Sequence, residues 1–286
     1  MKIDFHVHIT PPDIISDLKK YARNEPYFSM LSRSKVNKFA SAEDVIIALE
    51  KNNFDRAVVF GFAFRDIGLC RYVNDYVIEK TKQYPCKLTG FAVTPPVKDA
   101  YKEIERCYNA GLKGVGELFP EGQGIDLENK SSSKTITRAC AEFNIPLLLH
   151  ANEGVGHSYP GKTKTTLKQI QAFVMSNPDL KIILAHLGGG LLFYESMKEI
   201  KIGFKNVYYD ISAAPFLYDY RVYNVIKALG IADKILFASD FPMLSPSRYL
   251  NDINKSDLPE NEKKLILGDN AEKLLNIKMM SFQNSD

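Results

Sequence analysis

No stretch of eighteen apolar residues occurs in the 286-residue chain, which excludes a membrane-spanning helix of ordinary length. Met1-Lys2-Ile3-Asp4 leads directly into an apolar alternation, so no signal-peptide pattern is expected. Neither sign of charge is in excess. Lysine and arginine number 37 against 34 acidic residues, a net of +3, too little to imply nucleic acid or a membrane surface as partner. Cysteine is sparse: Cys70, Cys86, Cys107 and Cys140 show no Cys-X-X-Cys spacing. Neither a disulfide framework nor a thiolate zinc site is expected, and reduced thiols fit a cytoplasmic location. Also missing is any Gly-X-Gly-X-X-Gly after a strand, which argues against a dinucleotide-binding sheet. No low-complexity tract or linker divides the chain, so residues 1–286 are read as one domain.

What is present is an alternation of short apolar runs with helical patterns. Apolar residues make up 45% and charged residues 25%, a balance that can bury a large core. Strands are expected at 2–8, 55–62, 88–93, 112–119, 145–150, 181–186, 207–211 and 235–240. Helices are expected between them, and a last one over Gly268–Leu275. The runs Val58-Val59-Phe60 and Leu147-Leu148-Leu149 are continuously apolar, as strands covered on both faces must be. Ser41-Ala42-Glu43-Asp44 reads as a helix N-cap followed by acidic residues. Eight β/α units argue for a parallel sheet closed into a (β/α)8 TIM barrel. Residues 13–53 exceed a simple connection and are read as a candidate lid insertion.

The ionisable residues are placed unevenly. His6 and His8 lie two apart in Lys2–His8, on one face if the alternation is strict, about 7 Å apart at ~3.3 Å per residue. They can converge on one ion. Glu117, His150, His186 and Asp240 fall at the expected carboxyl ends of strands four, five, six and eight. That end of a barrel is where active sites are built. His150 and Asp240 each close an apolar run, where an unpartnered polar group is costly. Asp4 shares the period of His6 and His8, so it is expected to orient one of them or to pack at the barrel bottom.

Several of these residues together match a family pattern. Asp-X-His-X-His on strand one, histidines ending strands five and six, Ser239-Asp240-Phe241-Pro242 on strand eight and Gly-X-Asn-Ala-X-X-Leu-Leu from Gly268 to Leu275 resemble the amidohydrolase superfamily. They look most like its amidohydrolase-related branch, which includes aminocarboxymuconate-semialdehyde decarboxylase and several lactone hydrolases. The resemblance implies a divalent metal, usually zinc, on His6, His8, His150 and Asp240, with His186 moving a proton or orienting water. Glu117 stands where binuclear members often carry a carboxylated lysine, and is similar to the strand-four glutamate of deoxyribonuclease-like barrels that contacts the metals. One ion is expected rather than two, with manganese or iron as other candidates.

The leading expectation is hydrolysis of a C–O or C–N bond in a small molecule. Metal-bound water would be active at neutral pH, with Asp240 and His186 as the catalytic pair. The alternative on the same ligands is non-oxidative decarboxylation. A catalytically silent binding barrel is the third reading. Arg65, His157 and Tyr159, with Lys162, Tyr218 and Arg248, are placed to meet a carboxylate-bearing substrate. A homodimer is the assembly held open.

Overall fold

The apolar runs pair as expected, in a computed structural model that describes residues 1–35 and 37–277. Eight parallel strands follow in chain order: β1 Ile3–His8, β2 Arg56–Phe60, β3 Leu88–Gly90, β4 Val115–Leu118, β5 Leu147–Leu149, β6 Ile182–Leu184, β7 Val207–Asp210 and β8 Ile235–Leu236. Most ladders are shorter than the apolar runs that announce them. β5, β6 and β8 end before their runs do, and His150, His186 and Asp240 sit on those released ends, whereas His6, His8 and Glu117 lie within β1 and β4. Regular pairing gives sheets in the order β1-β2-β3 and β4-β5-β6-β7-β8. Two seams close the ring. At one, Ala92 N donates to Gly114 O (2.9 Å) and Gly116 N to Ala92 O (2.8 Å); at the other, Phe5 N donates to Phe237 O (2.8 Å) and Asp240 N to His6 O (2.9 Å).

Alternation along the strands divides the core in two. Ala57, Val59, Leu147, Leu149, Ile182 and Leu184 face outward against helix residues such as Val45, Ile104, Ile136 and Ile170. Phe5, Val58, Phe60, Phe91, Leu148, Ile183 and Leu236 fill the barrel. The helices Ile67–Gln83, Ala100–Asn109, Lys130–Glu142, Leu167–Ser176 and Val222–Leu229 form the outer layer. Before β7, where one helix is expected, the chain forms a 3-10 turn, Leu191–Ser196, and a short helix, Lys198–Gly203, separated by an extended Met197. The N-cap at Ser41 is a full capping box with Asp44.

Strict alternation fails at two places, both in the site. The β1–β2 register slips between Asp4 and Val7, so that Phe5 packs inside the barrel and Val7 outside. The β4–β5 register slips between Val115 and Leu118. Such slips re-aim side chains, here His6 and Glu117. The slip in β1 also overturns the expected pairing of Asp4 with the histidines. Its carboxylate instead accepts from Ser239 N (2.8 Å) and Ser239 Oγ (2.5 Å), pinning the chain just before Asp240.

Between β1 and β2 the chain forms the helices Pro12–Ser16, Leu18–Tyr21, Pro26–Arg33 and Ala42–Asn52. The last is an ordinary barrel helix, packed through Val45 and Leu49. Residues between Tyr27 and Lys38 instead line the cavity at the barrel mouth. Among the described residues no helix is long and apolar enough to cross a membrane.

Candidate metal centre

Four ligand atoms converge at the carboxyl end of the barrel. His6 Nε2 lies 3.3 Å from His8 Nε2, 3.5 Å from Glu117 Oε2 and 3.6 Å from Asp240 Oδ1. His8 Nε2 lies 3.6 Å from Glu117 Oε2 and 3.5 Å from Asp240 Oδ1. Ligands bound at about 2.1 Å around a tetrahedral ion stand ~3.4 Å apart. These separations match that spacing. A second trio adjoins them: Glu117 Oε1 is 2.9 Å from His150 Nδ1 and 3.6 Å from His186 Nε2. Glu117 thus turns one oxygen to each group. Both trios have the composition and closeness to hold an ion.

The local backbone accounts for these positions. Gly116 has φ +123, and a Cβ there would lie 2.2 Å from Leu148 O. Only glycine lets β4 run this close to β5 and deliver Glu117. His186 and Asp240 both have φ of +57, a left-handed conformation uncommon outside glycine. Past His186 the chain turns through Gly189, where a Cβ would lie 2.3 Å from Asn152 O. The turn therefore requires glycine too.

Electrostatics favour positive charge at the centre. Burial and the neighbouring His6 push His8 down to about 3, leaving a neutral imidazole, the form that binds metal. Phe62 stacks on His8 at 4.5 Å and 7°, and His8 Nδ1 has no hydrogen-bond partner among the described residues. Burial opposes charge on His6, but Asp210 and Glu117 outweigh it and hold His6 well above its usual range. Glu117 is held well below the carboxylate range, because His6 and His150 overcome the cost of burial. Burial raises Asp240 to about 6, with His6 and His186 pulling the other way. The donor set, two imidazoles and two carboxylates with no ammonium or guanidinium ion-paired to them among the described residues, fits a divalent cation.

Two residues not anticipated from the sequence complete the arrangement. Asp210, fully buried at the end of β7, meets His6 Nδ1 at 2.8 Å. Ser212 Oγ is 2.8 Å from His186 Nδ1 and donates to Asp210 Oδ1. Asp210 obeys the same strand-end rule as the other ligands and was legible on that ground. His150 Nε2 meets Gly161 O at 3.0 Å. The loop carrying that carbonyl is tied by Lys162 to Glu153 (3.2 Å) and by Tyr159 to Glu153 (3.0 Å).

A cavity of about 560 Å³ opens above the ligands. Its walls are largely apolar and aromatic: Tyr27, Phe28, Phe62, Phe119, Phe216 and Leu244. His157 and Tyr159 line it, while Lys35 and Lys38 supply positive charge. Arg65 does not line it. Its guanidinium donates to Gly122 O and Glu121 O, and its backbone N–H to Glu25 Oε2. The Pro120–Gln123 turn is too short to use all its carbonyls internally, and Gly122 O takes the arginine at 2.5 Å. Lys162 is likewise spent on its loop, and Arg248 lies over the Phe216 ring at 5.1 Å.

A closed barrel with this ligand set at its carboxyl end defines a metal-dependent enzyme of the amidohydrolase type. The chain belongs to the Amidohydrolase family, whose model matches residues 3–277. Among curated proteins it is similar to a gamma-resorcylate decarboxylase of Polaromonas sp. (strain JS666 / ATCC BAA-500), 22% identical over 72% of this chain and 76% of that one. Among solved structures it is similar to 5-carboxyvanillate decarboxylase of Sphingomonas paucimobilis, with TM-score 0.77 and 15% identity over 97% of this chain and 99% of that one. The corresponding enzyme of Novosphingobium aromaticivorans, solved with manganese and 4-hydroxy-3-methoxy-5-nitrobenzoic acid, aligns with TM-score 0.76 and 17% identity over 97% and 96% of the chains.

Proposed function

We propose that the chain is a metal-dependent, non-oxidative decarboxylase of a small aromatic carboxylic acid. The observation that carries this reading is the joining of the ligand set to a cavity walled by aromatic rings. The family relatives favour the same chemistry over the hydrolysis that the motifs first suggested. Phe62, Phe119 and Phe28 can face an aromatic ring, and stacked or edge-on ring pairs stabilise by about 0.5–1.5 kcal/mol beyond burial. Lys35, Lys38 and His157 also line the cavity and can meet the acid's polar substituents.

His6, His8, Glu117 and Asp240 would hold the ion, which supplies Lewis-acid polarisation and a fixed point for the substrate's oxygens. Zinc suits the donors, and manganese or iron also fits them. The C–C bond to the carboxylate breaks, carbon dioxide leaves, and a proton takes its place on the ring carbon. Asp240 and His186 are the groups placed to hold that proton. Burial raises the Asp240 carboxyl to about 6, and Glu117 raises His186 against the opposing effect of burial. Apolar walls exclude water, which decarboxylation does not consume.

The test is incubation with hydroxybenzoates in D2O. Release of carbon dioxide with one deuterium at the vacated carbon supports the reading. Turnover of lactones or amides with no carbon dioxide returns the hydrolase. One ion per chain is proposed. A specific feature favours a second: His150 stands between two acceptors, Gly161 O and Glu117 Oε1. Elemental analysis near one ion supports the single site, and near two assigns the other ion to Glu117, His150 and His186.

A further inference from the structure

Asp210 is buried among the site residues, yet its oxygens lie outside both ligand trios. Its two oxygens have separate duties. Oδ1 accepts from His186 N (3.0 Å), Ser212 N (3.0 Å) and Ser212 Oγ. Oδ2 faces His6 Nδ1 alone, at 2.8 Å. A carboxylate can only accept, so His6 must place a proton on Nδ1. In the neutral ring that a metal ion would require, Nε2 then keeps its lone pair, directed at His8, Glu117 and Asp240.

We infer that Asp210 is the positioning residue that sets the His6 tautomer for metal binding, an inference that rests on reading the four-atom cluster as a metal site. The same carboxylate fixes the entry to the left-handed turn at His186 through the His186 amide. One buried group thereby couples the geometry of the metal end and the proton-holding end of the site. Outer partners of ligating histidines commonly act in this way, and their loss weakens metal binding about 10–100-fold.

The network makes Asp210→Asn unusually informative. The three donors on Oδ1 oblige the asparagine to keep its oxygen there. Its NH2 must then face His6 Nδ1, which can only accept. His6 is forced into the Nε2–H tautomer, and a proton occupies the position a metal would need. The shape of the side chain is nearly unchanged, so loss of binding does not require loss of fold.

The experiment measures zinc affinity by competition with a chelator for wild type, Asp210→Asn and Ser212→Ala, with melting curves of the metal-free proteins. Asp210→Asn should bind zinc about 10–100-fold more weakly. Ser212→Ala removes a longer contact to His6 Nδ1 (3.4 Å) but keeps the Oδ2–His6 bond, and should lose less zinc affinity than Asp210→Asn. In zinc-loaded wild type labelled with 15N-histidine, His6 should carry its proton on Nδ1. This last measurement holds even if Asp210→Asn fails to fold. Equal affinity of wild type and Asp210→Asn, or a His6 without a proton on Nδ1, overturns the role of Asp210 alone. No zinc uptake by wild type overturns the metal reading and this inference together.

Discussion

Glu103 and Glu195 on the outer layer differ from Glu117 and Asp240 at the barrel mouth in what neutralises them. On the outer layer, Glu195 accepts from Lys234 Nζ (2.8 and 3.1 Å) and from Tyr209 OH (3.1 Å). Glu103 is met by Arg106 (2.8 and 2.9 Å) and Asn74 (2.8 Å). At the barrel mouth, Glu117 and Asp240 have only histidines within ion-pair distance among the described residues. Lysine and arginine are charged at every physiological pH and cannot be displaced from a buried acid without a large penalty. Imidazoles can be neutral and share the acid with a metal ion. The outer acids are therefore built to hold the fold, and the inner ones to hold something exchangeable.

The contrast breaks most strongly at Asp240. Asp240→Asn should lower turnover about 10²–10⁴-fold, the usual effect of losing a proton-transfer group, measured as carbon dioxide release. Burial disfavours the Asp240 charge in the folded chain, so metal-free Asp240→Asn should melt no lower than wild type at neutral pH. A clear drop in melting temperature would move Asp240 into the structural group. Lys234→Met should do the reverse. It strands Glu195 without its cation and should cost about 3–5 kcal/mol in denaturant unfolding, with metal bound per folded chain unchanged.

Metal addition sharpens the comparison further. At one hundred times its dissociation constant, the ion should stabilise wild type by about 2.7 kcal/mol. The gain should shrink in Asp240→Asn and persist in Lys234→Met, as thermal or denaturant unfolding with and without metal will report. The smallest expected effect is a pH dependence at Glu103. Arg106 and Asn74 overcome the cost of burial and hold this acid below its usual range. Its folded pKa is lower than its unfolded one, so its contribution is present above about 4.5 and lost as pH falls through the folded value. The stability difference between wild type and Glu103→Gln should accordingly narrow below pH ~4.5. A difference that stays constant down to pH 3 would show that Glu103 has no such coupling.

Much of the site was legible because one rule sufficed: polar residues that end apolar strands gather at one end of a barrel. His6, His8, Glu117, His150, His186 and Asp240 all follow it, and they gather into two adjoining trios joined through Glu117. Asp210 follows it as well but was passed over, because a lone acid after Val-Tyr-Tyr carries no motif. Arg65 was drawn to the mouth by its position after β2, whereas the carbonyls of Glu121 and Gly122 hold it elsewhere. No local pattern announces a carbonyl in need of a donor. Asp4 was assigned by a period of two that the slip in β1 cancels.

Sequence alone determined the eightfold β/α rhythm, the barrel and which histidines and acids end its strands, since periodicity and strand-end placement are local properties. Tertiary structure alone decided which nitrogen each histidine presents, where the ladders slip, and how Glu117 divides its oxygens between two clusters. Those outcomes depend on partners far away in the chain, such as Asp210, 204 residues from His6. An imidazole's tautomer is set by whichever group lies behind it, and only folding brings that group there.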